Sequence, residues 1–105
     1  MPLNSKRKGA RGERELAAAL RAWGHGNARR GQQFKGTEDS PDVQGLPGFF
    51  IEAKFTESLS LYPALERAVV EAGHGTIPVV MHRRRGKQWV AILRLDDLMK
   101  LIAKV

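Results

Sequence analysis

The sequence predicts an α/β domain whose elements run in the order α-β-β-β-α-β-β-α. Three observations lead there. Residues 10–23 carry an apolar stripe at helical spacing. Phe49–Phe55 is an apolar run of strand length that follows the turn signal Leu46-Pro47-Gly48. A second helical stripe, residues 60–73, separates that run from two further strand-like segments. At 105 residues the chain makes one domain, with room for a modest core but not for two.

Composition narrows the partners before any motif is considered. Eighteen Lys and Arg stand against eleven Asp and Glu, for a formal charge of +7 and a pI near 10.4. Such a balance favours a polyanion, either nucleic acid or an anionic membrane surface. No apolar run approaches the roughly 18 residues of a spanning helix. The opening Met-Pro-Leu-Asn-Ser-Lys-Arg-Lys lacks the apolar stretch of a signal peptide. Membrane insertion is therefore not expected, and a cytoplasmic location is. The absence of cysteine excludes a disulfide framework, a zinc ribbon and a thiol nucleophile, and it fits a reducing interior.

Taken in order, residues 1–9 are basic without apolar periodicity. They read as a flexible arm before a single domain over 10–105, with Lys6, Arg7 and Lys8 either available to phosphates or simply solvated. In the first helix Leu16, Ala17, Leu20 and Trp23 share a stripe that Gly24 and Gly26 end. Extended backwards, the stripe lands on Glu13, a carboxylate held either by the helix N-terminal dipole or by something cationic inside. Glu15 projects instead among Ala18, Ala19 and Ala22. Residues 27–33 are a short candidate strand with Arg29 outward and Arg30 inward, and a polar loop over 34–41 delivers the chain to Asp42. The Pro47-Gly48 turn predicts that residues 42–45 and Phe49–Phe55 pair antiparallel, which brings Asp42 near Glu52.

The second helix is predicted with Ser60 as N-cap, Pro63 in its first turn, and Leu61, Leu65, Ala68, Val69 and Ala72 facing inward. Gly73 and Gly75 close it, leaving His74 in a loop. Residues 77–82 and 88–93 read as two strands. The tip between them, Arg83-Arg84-Arg85-Gly86-Lys87, is either a solvated hairpin loop or a finger that touches phosphates. Asp96 or Asp97 caps a last helix through Leu98, Met99, Leu101 and Ile102.

Chemistry concentrates on the middle strand. Side chains alternate faces, so Phe50, Glu52 and Lys54 point one way and Ile51, Ala53 and Phe55 the other. A charge buried there without partners costs several kcal/mol. A divalent cation shared with Asp42 offsets that cost most simply. Asp42, Glu52 and the backbone carbonyl of Ala53 offer an oxygen shell suited to a hard ion such as Mg²⁺. Lys54 would orient the attacking water or stabilise developing charge. Glu13 would bind the ion, support one of its ligands, or hold a second ion. His25 and His82 lack metal-ligand spacing to another His or Cys, and no glycine-rich loop ending in Lys-Ser or Lys-Thr suggests nucleotide hydrolysis. Glu-x-Lys alone equally describes an ion pair on an exposed strand. Pro-Asp, nine intervening residues and Glu-Ala-Lys on an apolar strand, after a helix with an inward Glu, narrow the choice.

Pro41-Asp42 through Glu52-Ala53-Lys54 resembles the signature of PD-(D/E)XK nucleases. Lys8-Gly9-Ala10-Arg11-Gly12-Glu13-Arg14-Glu15-Leu16 resembles the first helix of archaeal-type Holliday junction resolvases, which phages also encode. The likeness runs from Lys8 to about Leu95 and is strongest in these two blocks. It implies a restriction-endonuclease-like core, a central mixed sheet flanked by helices, and a homodimer. It also implies dependence on Mg²⁺, with Mn²⁺ as substitute, and paired nicks across a four-way DNA junction in a bacterial, archaeal or phage-infected cell. Carried over by position, Glu13, Asp42, Glu52 and Lys54 form the catalytic set. Arg14 and one of Arg29 or Arg30 match arginines placed near DNA phosphates. Two other readings remain open. One is a nicking or repair endonuclease acting on other branched or damaged duplexes. The other is a non-catalytic nucleic-acid-binding module using the basic arm and the Arg83, Arg84, Arg85 and Lys87 loop.

Overall fold

The computed structural model describes residues 5–31 and 41–105. The elements are α1 (Ser5–Ala22), β1 (Arg29–Arg30), β2 (Val43–Gln44), β3 (Phe49–Phe55), α2 (Leu61–Ala72), β4 (Ile77–Arg83), β5 (Val90–Ile92) and α3 (Leu95–Ala103). Their order is the one the sequence predicts. The five strands form a single mixed sheet in the spatial order β1-β2-β3-β4-β5. Neighbours pair antiparallel except β3 and β4, which run parallel with Ile51 opposite Val79 and Glu52 opposite Val80. A parallel pair needs a crossover, and α2 supplies it.

Period-2 alternation on β3 divides the helices between the two faces of the sheet. Ile51 packs with Leu16 and Ala17 of α1 and Val43 of β2 in a core of buried side chains, with Ala53, Met81 and Trp89 around it. Ala68 of α2 and Val80 are fully buried, and α2 lies over the face that carries Glu52. It starts after Ser60, whose side chain makes no capping hydrogen bond. It stops at Gly73, where φ is +63° and a β-carbon would be strained. Leu61, expected inside, is exposed at the helix start. α3 stands apart, with Leu95, Leu98, Met99 and Ile102 exposed.

Five boundaries differ from the sequence expectation. α1 begins at Ser5, so residues 5–9 of the expected arm are helical, and residues 1–4 lie outside the described residues. A helix nucleated by its buried half extends at little cost through a polar turn that has no apolar period of its own. The first strand contracts to Arg29–Arg30, and Gln32 and Gln33 lie outside the described residues, as does the expected loop over residues 34–40. β4 runs on to Arg83, which shortens the charged tip, while β5 covers only Val90–Ile92. The N-cap of α3 is Arg94 rather than an aspartate. Asp97 is drawn instead to the Arg94 guanidinium at 2.9 Å, and Asp96 accepts the Asp97 amide.

Contact between α1 and β3 depends on Gly12, where a β-carbon would stand 2.7 Å from Cβ of Phe55. Alanine in a helix interior gains about 1 kcal/mol over glycine, but overpacking costs about 1–3 kcal/mol. At Gly9 a β-carbon meets nothing within 4 Å. Two glycines of one helix should therefore respond with opposite sign. Gly12→Ala is expected to lower stability by about 1 kcal/mol, and Gly9→Ala to raise it by up to about 1 kcal/mol. Urea denaturation midpoints of the two variants check this.

Candidate active site

The β2–β3 ladder sets Val43 opposite Ile51, and Asp42 enters it one residue earlier. The Asp42 amide donates to the Ile51 carbonyl at 2.9 Å. The Ala53 amide in turn donates to Oδ2 of Asp42, also at 2.9 Å. These bonds hold the Asp42 carboxylate against β3, close enough to Glu52 for the two acids to repel each other. Glu52 is 6% exposed. Lys54, half-buried, lies on the same face and close enough to act electrostatically on Glu52. Asp42 and Lys54 both sit toward the carboxyl ends of the parallel pair β3 and β4, where ligands of open α/β sheets bind.

From the opposite side of Glu52 comes an acid the sequence did not single out, Glu71 of α2. The two carboxyl groups hydrogen-bond to each other. Burial, the bond to Glu71 and repulsion from Asp42 push Glu52 up to about 8, against a smaller opposing pull from Lys54. Burial would raise Glu71 too, but its bonds with Glu52 and with Arg67 hold it below the ordinary range. Nε of Arg67 lies 2.9 Å from Oε1 of Glu71. Burial and its acidic neighbours thus favour the protonated form of Glu52. In sequence Arg67 and Glu71 look like an ordinary surface pair at i, i+4. Only the packing of α2 on β3 shows that Glu71 reaches Glu52.

Glu13 is buried at 8% and projects from α1, the other layer. Its cationic partner is Arg30, exposed at the sheet edge, whose Nε lies 2.9 Å from Oε2 of Glu13. Burial raises the Glu13 carboxyl above its ordinary value and repulsion from Asp42 adds to this, while Arg30 and Arg14 oppose the rise. Glu13 therefore stands near Asp42 but is held by an ion pair of its own. Both arginines of β1 are exposed, so Arg30 does not turn inward as expected, and Arg29 bonds the Asn27 carbonyl. Arg14 is exposed on α1.

The charged tip divides. Arg83 belongs to β4: it reaches Glu15 on α1 at 3.3 Å, bonds the Lys87 carbonyl and lies over the Phe55 ring. It is an anchor, half-buried, rather than part of a finger, and Glu15 serves it instead of merely projecting among alanines. Arg84 pairs loosely with Glu57 at 3.7 Å, and Arg84, Arg85 and Lys87 are exposed. Lys6, Arg7 and Lys8 fall in the first turns of α1, and their side chains lie outside the described residues. His74 is exposed beyond α2, while His82 is tied to the Thr56 carbonyl.

Asp42, Glu52 and Ala53 give an all-oxygen donor set, because a residue's N–H and C=O leave a strand on the same edge. That chemistry suits a hard cation that keeps several waters. Among the described residues no three His, Cys, Asp or Glu side chains gather as a metal-binding group, so waters and substrate oxygens would have to supply the remaining positions. None of the described helices is long and apolar enough to cross a membrane. The chain matches no protein-family model, no curated protein and no solved structure.

The proton on Glu52 fixes the sign of a pH effect. Unfolded, the group titrates near 4.5; folded, near 8. Between those values the native chain holds the extra proton, so stability falls as pH rises through the window. Glu13 shifts in the same direction and Glu71 in the other. Without divalent cations, the thermal midpoint should drop from about pH 5 to about pH 8.5, and Glu52→Gln should flatten the slope. An equal slope in that variant assigns the effect to other groups.

Proposed function

We propose that the chain is a metal-dependent, structure-specific DNA endonuclease with a restriction-endonuclease-like core, a Holliday junction resolvase acting in recombination and repair. One observation carries it: the Asp42 carboxylate is tied to the Ala53 amide within electrostatic reach of buried Glu52, with Lys54 beside Glu52, in a chain of charge +7. Phosphodiester hydrolysis forms a bond from a water oxygen to phosphorus and breaks the bond to the leaving oxygen. Asp42, Glu52 and the Ala53 carbonyl would hold Mg²⁺ or Mn²⁺, which when bound supplies Lewis acidity and offsets charge on the phosphate. Lys54 orients the water or stabilises the developing charge. Glu52 must release its proton to serve as a ligand, so its two carboxylate neighbours make cation binding favour higher pH. Glu13 orders the Asp42 side from α1 through Arg30, and the positively charged surface takes up DNA phosphates. In this reading the chain works in the cytoplasm.

A labelled four-way junction offered beside linear duplex, flap and single strand, with and without Mg²⁺, tests this. Symmetric product pairs from the junction alone, only with the metal, are expected. Asp42→Asn, Glu52→Gln and Lys54→Ala should each abolish cutting and leave junction binding within a few-fold. Cutting of flaps or nicked duplex instead favours the other endonuclease reading. Tight binding with no cutting under any metal favours the non-catalytic module.

Paired nicks need two sites, and α3 suggests how a second copy docks. Its apolar row is bare, with Leu95 71%, Met99 48% and Ile102 55% exposed. Asp96 lies in its first turn and Lys100 in its last. Two copies packed antiparallel would cover the row and set each acidic end against a basic one, whereas parallel packing would oppose like charges. Leu98→Glu with Ile102→Glu should convert a dimer to a folded monomer by light scattering and turn paired nicks into single ones. A wild-type monomer at micromolar concentration overturns the docking.

A further inference from the structure

Beside the carboxylates, the segment linking β3 to α2 and the first turns of α2 line a cavity of about 420 Å³. Its polar side chains are Lys54, Thr56, Ser58, Ser60 and Arg67, and among the described residues no acid lines it. The one carboxylate of the linking segment, Glu57, turns away to Arg84 and to the Arg85 amide. Thr56 and Ser58 hold the segment by hydrogen bonds between hydroxyl and backbone, and the Ser60 hydroxyl is not used as a cap. Two cations from different elements border this space together with hydroxyls. A tetrahedral anion with several acceptor oxygens satisfies that donor set.

Position narrows the anion further. Lys54 borders both the cavity and the carboxylates, so whatever fills the cavity lies next to the proposed reacting centre. Arg67 bonds Glu71 through Nε, and Glu71 bonds Glu52. An occupant pressed against Arg67 therefore bears, through Arg67 and Glu71, on a ligand of the proposed cation.

We propose that this cavity holds the backbone phosphate next to the scissile one on the cut strand, so that the strand is gripped at two successive phosphates. The inference rests on the nuclease reading above. Lys54 serves both phosphates; Arg67 and Ser60 serve the second and act as positioning residues.

The test moves a single methylphosphonate, which removes one phosphate charge, step by step along the junction strand. Binding is measured without divalent cation and cutting with Mg²⁺, on the full chain. For the wild type, neutralising one phosphate beside the cut should weaken binding about tenfold. Arg67→Ala should bind unmodified DNA about tenfold more weakly, lose about one unit of salt slope, and become indifferent to that one methylphosphonate while staying sensitive elsewhere. Ser58→Ala with Ser60→Ala, which leaves the Arg67–Glu71 pair alone, should show the same selective indifference at smaller size, and thermal midpoints near wild type exclude misfolding. An interference pattern unchanged in both variants overturns the proposal, and so does a penalty confined to a terminal 5′-phosphate. Cutting without interference removes the subsite and spares the nuclease reading. Interference that both variants abolish, in a protein that cuts nothing, does the reverse and leaves the cavity as a phosphate site.

Discussion

The hydrogen bond from the Ala53 amide to the Asp42 carboxylate is the constraint on which the candidate site depends. β2 has only two residues, too few to hold its register by pairing alone. Its first neighbour, Asp42, is fastened three ways: its amide to Ile51, its side chain to Ala53, and its carbonyl to the Gly31 amide at 2.8 Å. The last bond requires glycine at 31, because a β-carbon there would run into the Pro41 carbonyl. Three strands are thus clamped at one aspartate, and the clamp places its carboxylate beside Glu52.

Around that clamp the charge of the chain is less available than its total suggests. Glu13 takes Arg30, Glu15 takes Arg11 and Arg83, Glu71 takes Arg67, and Asp97 takes Arg94. Several arginines therefore orient acids, or tie helices to the sheet, before they meet any partner. Exposed ion pairs of this kind contribute little to stability, but the Arg30–Glu13 pair, with its acid buried, fixes how α1 meets the edge that carries Asp42. The two helices reach the site from opposite layers, α1 through Glu13 and α2 through Glu71. Each carries an acid held by an arginine.

What was legible in the sequence was local or of short range. Alternation over Phe49–Phe55 gave the two faces of β3, and the Pro47-Gly48 turn gave the hairpin that joins Asp42 to Glu52. The stripe of α1 placed Glu13 inward and left its partner open between a dipole and a cation; the cation is Arg30. Glu71 was not legible, since nothing near it in the chain distinguishes a helix-surface pair from one that reaches another layer. The same holds for Arg83, which reads as the start of a charged loop until the packing of α1 supplies Glu15 and Phe55. The early start of α1 was hidden because residues 5–9 bear no apolar stripe, and the N-cap of α3 because Arg94 outcompetes the backbone for Asp97.

Stability alone gives no reason for the acid at position 52. Its register partner Val80 and its neighbour Ile51 are both fully buried, and an apolar side chain there would gain burial without desolvating a carboxyl. Nor do the surroundings neutralise it: the groups acting on Glu52 are two further carboxyls, Asp42 and Glu71, against the single ammonium of Lys54. Arg67 steadies Glu71 rather than Glu52. Local electrostatics conflict with burial here, and such conflicts gather where a chain has chemistry to perform. Two occupants relieve this one. A proton does so at the cost of the negative charge, and a hard divalent cation does so while using it. On the nuclease reading proposed above, Glu52, whose carboxyl is raised by burial and by Glu71 and Asp42, is where the one would give way to the other.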